Sequence, residues 1–262
     1  MTVDLSHTSS WPPRVASRHR RLWVFNIVAG LTLALEGALM LVLSNTLALP
    51  ITASYLTSDP VAVRGPTMPE RLFSLPIGPT VAVFLLLAAA DHLVVASPGA
   101  HRWYARGLDR RSNYARWIEY SLSASIMIVL IGLFVGIRDL AAVVAVFAVN
   151  TAMILFGLLM ERQQRPGSAD WSAFWFGSLV GVVPWVLVGI YLAGAPQVPG
   201  FVYAITATQF VLFFSFAVNM ALQYKEVGRW RDYAFGEVSY ITLSLVAKSL
   251  LAWLIFANVL RT

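Results

Sequence analysis

The sequence predicts an all-α fold, a bundle of seven membrane-spanning helices, and three observations carry that reading. Of the 262 residues, 58% are hydrophobic and only 12% are charged. Soluble domains hold roughly 45–50% apolar and about 25% charged residues, so the composition argues against a water-soluble globular enzyme. Seven stretches reach the length of about 20 mainly apolar residues needed to cross the hydrocarbon core. The basic residues are also distributed unevenly between the segments that join those stretches, as membrane topology requires.

The stretches are 22–43, 77–96, 117–137, 140–160, 171–193, 201–224 and 237–260, and each gap between them holds charges, prolines or glycines. They form one membrane domain over 22–260, preceded by a tail over 1–21, and they leave no room for a second domain. The tail does not read as a cleavable signal. Its apolar run follows four arginines, is too long for a signal core and lacks a small-residue cleavage pattern. With the N-terminus on the cytoplasmic side, the inner segments hold fourteen Lys and Arg residues against four (Arg64, Arg71, Arg138 and Arg261) in the outer ones. The C-terminus is therefore expected outside, in a multi-pass protein of the plasma membrane. The net charge of +6 then reads as a topology label, and not as a nucleic-acid-binding surface.

The one long outer segment, 44–76, carries Pro50, Pro60, Pro66, Pro69 and Pro76, which exclude a helix. The run Ile51-Thr-Ala-Ser-Tyr-Leu-Thr57 is expected to form a short hairpin there. The chain has no cysteine, which removes disulfides, thiolate metal sites and a Cys nucleophile.

Five ionisable residues fall inside the drawn spans: Glu36, Asp91, His92, Glu119 and Lys248. Each is costly, at least ~2.5–3.5 kcal/mol near a helix centre, and so marks a functional candidate. Lys248 is the extreme case, one of only two lysines in the chain. It lies roughly 16–20 Å from either end of its span at 1.5 Å per residue, beyond the reach of a snorkelling side chain. It is either a neutral or salt-bridged packing residue or a desolvated amine able to condense with an aldehyde. A lone lysine midway along the last of seven helices suits a retinylidene linkage.

The segments SLVAKSLLAW around Lys248, ARWIEYSLSASIM in span three and LFFSFAVNMALQYKEVGRW in span six resemble heliorhodopsins, the inverted-topology branch of the microbial retinal proteins. The resemblance extends over all seven helices in order. It implies all-trans retinal carried on Lys248 as a protonated Schiff base, a glutamate counterion in the third span, homodimers, and a slow light-driven cycle with little or no ion pumping. Such a chain is a photoreceptor and not an enzyme; clustered His and Asp ligands or a Ser/His pair are missing from the spans.

Glu119 is the counterion candidate, because a protonated Schiff base in low dielectric needs a nearby anion. On its own spacing Glu119 could instead pair with Arg116 at i,i+3. Lys248 leans toward the N-terminus of its helix and hence toward the level of Glu119, though the drawn boundaries leave several ångströms between them. Ser123 lies one turn beyond Glu119, and Ser244 one turn before Lys248. In proton-pumping relatives the latter position is usually an aspartate, and a second carboxylate commonly follows eleven residues after the counterion, where this chain has Leu130. His92 is a candidate to store a proton or order water near the Schiff base. Asp91 points about 100° away from it. The family often has a histidine in its first helix; here span one offers only Glu36, which leaves the proton-accepting group open.

The resemblance places Tyr120, Met127, Met153, Ile154, Gly157, Trp175, Tyr191, Phe213 and Phe214 near the polyene. Trp171, Phe201 and Tyr203 read as an interfacial belt, and Pro184 is expected to bend the fifth span. Gly177 and Gly181 form a G-x-x-x-G pair, suited to close packing within the chain or to a dimer interface on spans four and five. Two functions follow: a light sensor whose helix movement is read by a cytoplasmic signalling partner, or a light-driven or light-gated ion transporter. The second needs a continuous polar path, for which the outer halves of the spans offer only Glu36, Asn150 and a few hydroxyls.

Overall fold

The computed structural model describes residues 13–55 and 69–261, with side chains from Arg20 onward. The start of the tail and the middle of the outer segment, with Pro60, Arg64 and Pro66, lie outside the described residues. Eight α-helices and one two-stranded sheet follow in order: α1 (Pro13–Leu43), β1 (Ala48–Ala53), β2 (Glu70–Pro76), α2 (Ile77–Ala96), α3 (Pro98–Asp109), α4 (Tyr114–Val135), α5 (Leu140–Gln163), α6 (Ser172–Gly194), α7 (Gly200–Tyr224) and α8 (Tyr233–Ile255). A π-turn, Phe256–Leu260, extends α8 to the end of the described chain. All but α3 are long and apolar enough to cross a membrane, which makes the protein a multi-pass integral membrane protein with a seven-helix bundle.

Local chemistry fixes where these helices begin and end. Asn113 caps α4 by accepting from the Arg116 amide at 3.1 Å, and Asp232 caps α8 by accepting from the Ala234 amide at 3.1 Å. Both helices therefore start earlier than the hydropathy reading placed them, at Tyr114 and not 117, and at Tyr233 and not 237. At the other end of α4, Gly136 takes φ +102°, a left-handed C-cap that a Cβ would strain.

The hairpin forms, but with a different first strand from the one expected. β1 starts at Ala48 and stops at Ala53, short of Tyr55, and pairs antiparallel with β2 from Ala48↔Pro76 to Ala53↔Glu70. A two-stranded ribbon leaves each strand a free edge, so Pro50 and Pro76 can sit in it without costing a ladder bond. β2 runs directly into α2, and the Thr52 amide donates to the Arg138 carbonyl at 2.9 Å, tying the sheet to the α4–α5 turn. Hairpin, α4–α5 turn and the end of α8 thus share one end of the bundle, while the start of α1, α3 and the α7–α8 connection share the opposite, tail end.

The helices pack chiefly as α1 on α2, α2 on α4, α4 on α5, α5 on α6, and α7 on α8, with α1 closing against α8. α4 is the central post: 67% of its membrane window is buried, against 17% for α7. A large apolar core fills the hairpin half of the bundle, from Ile51 and Leu33 through Met127 and Leu130 to Leu251 and Ile255. A smaller aromatic cluster of Trp117, Tyr120, Tyr224 and Tyr240 fills the tail half.

Candidate functional site

Lys248 is 3% exposed on α8, facing α4. Its Nζ donates to the Ser244 hydroxyl at 2.6 Å, one turn back along the same helix. It also stands 3.4 Å from each oxygen of the Glu119 carboxylate and donates to Oε2. The ammonium lies 4.9 Å from the centre of the Tyr120 ring, whose hydroxyl donates to the Tyr240 carbonyl at 2.9 Å. The distance left between Lys248 and Glu119 by the drawn spans closes because the Lys248 side chain extends toward the tail end. Ser123 is completely buried on the same stripe of α4, and its hydroxyl makes no hydrogen bond.

Arg116 does not compete for Glu119. Its guanidinium bonds Glu161 of α5 at 2.7 Å and Glu237 of α8, and it lies 3.9 Å over the Tyr240 ring. Glu161 also accepts from the Asn113 amide at 2.9 Å, the Trp117 indole at 2.5 Å and the Tyr233 hydroxyl at 2.9 Å. The Asn113 side chain donates to Glu237 at 2.7 Å. The sequence reading missed this cluster because it drew spans three, four and seven to start or stop at these charges. The available signal was one cation and two anions at the same end of three spans.

The other expected polar neighbours of the amine have partners elsewhere. His92 Nδ1 lies 2.7 Å from the Asn26 side-chain oxygen, and the Asn26 amide group reaches the Leu22 carbonyl at 2.8 Å and the Tyr104 hydroxyl at 3.4 Å. Burial raises the Tyr104 phenol above its ordinary range, so it stays protonated. Glu36 accepts from the Ser249 hydroxyl at 2.7 Å and from the Trp253 indole at 3.1 Å. Asp91, next to His92, is only half-buried.

From Lys248 a cavity opens between α4, α5, α6, α7 and α8. Tyr120, Met127, Met153, Ile154, Gly157, Phe213 and Phe214 all line it. Trp175 and Tyr191 do not; they are 64% and 41% exposed on the outer face of α6. The cause is helical phase. The stripe of α6 that faces inward is Phe174, Gly177, Ser178, Gly181 and Trp185, and Trp175 lies about 100° from it. Trp185, edge-on to Phe213 with centroids 5.4 Å apart, is the large wall residue that the reading missed; Pro184, inside α6 as expected, directly precedes it.

The glycines belong to this architecture. A Cβ on Gly181 would lie 2.5 Å from Met153 Sδ, and one on Gly177 would lie 2.9 Å from Phe156 Cβ. The G-x-x-x-G pair therefore seats α6 on α5 within the chain, the first of the two roles its spacing suggests. Gly157 makes room for the Trp117 indole, which a Cβ would overlap.

The family model described as Heliorhodopsin matches residues 22–260. No curated protein matches the chain significantly. With seven apolar helices and a match running from the first span through the last, the chain belongs to the heliorhodopsin family, the rhodopsin-type light-sensing membrane proteins.

Proposed function

We propose that the protein is a light sensor that carries all-trans retinal on Lys248 and runs a slow photocycle without pumping ions. The observation that carries this reading is a buried amine, ion-paired to one carboxylate, opening into an apolar, aromatic-walled cavity. The side chains fit such a group. An aldehyde needs a primary amine free to condense with it, and a polyene needs flat apolar walls with few hydrogen-bonding demands. Held on Lys248 as a protonated Schiff base, retinal would supply a visible-absorbing polyene whose isomerisation light drives.

The chain's own residues supply the remainder. Glu119 offers the negative charge beside Nζ, and Ser244 accepts from it. Trp185, Phe213 and Phe214 enclose the cavity laterally, while Trp117 and Tyr240 close it toward the Arg116 cluster. A low-dielectric enclosure strengthens the attraction between amine and carboxylate and keeps water from the link. Among the described residues no second carboxylate touches Lys248, and Ser244 and Leu130 stand where pumping relatives carry acids. That supports sensing over transport. The lysine and arginine distribution supports a cytoplasmic N-terminus in the plasma membrane, a homodimer follows the family habit, and a signalling partner would read the cytoplasmic face.

The test is a visible spectrum of purified protein with all-trans retinal added, with Lys248→Ala beside it. Wild type develops a visible band and the variant does not; a colourless wild type overturns the reading. A robust steady photocurrent from the expressed protein would favour a light-driven or light-gated transporter instead.

A further inference from the structure

α3 is the one helix that does not span, and the reading from sequence took it for a loop. It begins two residues after α2 ends, with Ser97 capping the Ala100 amide at 3.4 Å and Pro98 in its first turn. Its inner face, Tyr104, Ala105 and Leu108, is buried; Tyr104 and Leu108 pack with Leu22, Val95 and Ile241 from the tail ends of α1, α2 and α8. Its outer face is a different surface. Arg102, Arg106 and Arg110 recur every fourth residue, so they form one exposed stripe, and Trp103, 48% exposed, lies beside it. Arg20 and Arg21, both exposed, immediately precede Leu22 on α1, and Trp23 is fixed to the end of α2 by its indole bond to the Ala96 carbonyl at 2.8 Å. Arg111 is not part of this surface, because it pairs with Glu226 at 3.6 Å.

We infer that the outer face of α3, with Arg20, Arg21 and Trp23, is a binding surface for anionic phospholipid headgroups. Three features favour a lipid surface as the occupant. The helix is joined to the spans at the level where they leave the hydrocarbon, so its exposed face meets headgroups. An arginine stripe flanked by exposed tryptophans is the amphipathic pattern that lies in a membrane interface, the guanidinium groups on phosphates and the indole at the acyl boundary. The charge is also arranged: general topology requires basic residues somewhere at this end, but it does not require them at four-residue spacing on one face.

The experiment compares lipid retention in nanodiscs made from equal phosphatidylglycerol and phosphatidylcholine, counting lipids that remain with the released protein by native mass spectrometry. Wild type retains phosphatidylglycerol preferentially, and raising the salt concentration weakens the preference. An arginine near the surface is worth roughly fivefold in affinity for anionic lipid, so R106Q/R110Q loses about 25-fold of it. R162Q/R165Q removes the same charge from exposed positions at the same end of the bundle, outside α3, and keeps the preference. R102K/R106K/R110K, which retains charge, keeps most of it and controls for folding. Equal loss in the two double variants would overturn the proposal in favour of diffuse charge, and so would a wild type without preference. Tight binding of polyglutamate to the α3 face, without lipid preference, would overturn it in favour of an acidic protein partner.

Discussion

Arg116 and Glu119 sit one turn apart on the same central helix, yet their surroundings are opposites. Arg116 bridges two carboxylates from two other helices, and those carboxylates also draw on Asn113, Trp117 and Tyr233. Glu119 has one cation, 3.4 Å away, and one of its oxygens accepts no hydrogen bond. The first arrangement is dense, with Arg116 Nε alone left unbonded on the guanidinium, and it holds α4, α5 and α8 together. The second is sparse, and a sparse buried pair can exchange its cation for a modified one without dismantling a network. Under the proposed function, structure and chemistry are divided between two charge clusters a single helical turn apart.

Removing the cation from the dense cluster should have the largest effect. Arg116→Met strands two buried carboxylates, a change that costs about 3–5 kcal/mol in buried ion pairs. The variant should fail to accumulate or should unfold at a clearly lower temperature, and adding Glu161→Gln and Glu237→Gln should recover part of the loss. An R116M protein that melts with wild type would show that the cluster is not the clamp described above. The sparse pair should behave in the reverse manner. In retinal-loaded protein, Glu119→Gln should move the visible band while changing the melting temperature little, and Glu237→Gln should do the opposite. Equal band shifts in both would erase the distinction.

The sequence carried the bundle because hydropathy over about 20 residues is a strong, additive signal. It carried Lys248 because a mid-span lysine is conspicuous on cost alone. What it did not carry is instructive. A hydropathy reading stops at a charge, so it cut Arg116 and Glu161 out of their helices and treated Glu237 as a boundary; their mutual neutralisation across three spans is a tertiary fact. The resemblance places Trp175 near the polyene, and only the inward stripe of α6 distinguishes it from Phe174, its neighbour about 100° away. α3 was overlooked because its hydropathy is low. Its Ser97-Pro98 start and its buried Tyr104, Ala105 and Leu108 were nevertheless legible as an amphipathic pattern.

A smaller effect probes how the two clusters communicate. Trp117 donates to Glu161 and lines the cavity, and it lies against α5 only because residue 157 is glycine. Gly157→Ala should therefore push the indole away, at a cost of about 1–3 kcal/mol typical of overpacking. If Trp117 links the cluster to the cavity, the same variant should also shift the visible band, although it adds only a methyl group. A melting loss without a spectral change would confine Trp117 to the clamp.

The smallest expected differences are between two buried serines, Ser244 and Ser123. Ser244 accepts from the Lys248 ammonium at 2.6 Å, a bond to a charged group worth about 1.5–3 kcal/mol, so Ser244→Ala should lower stability and alter the spectrum of the loaded protein. Ser123 is as deeply buried, but its hydroxyl has no partner. Burying such a group is unfavourable, so Ser123→Ala should melt at or slightly above wild type, within about 0.5 kcal/mol. Its spectrum decides what the hydroxyl is for. An unchanged band leaves Ser123 a packing residue, whereas a shift matching that of Ser244→Ala would mean that the Ser123 hydroxyl turns to the Lys248 link once the chromophore is in place. Glu119 would then share its role at the sparse cluster with a neutral donor one turn away.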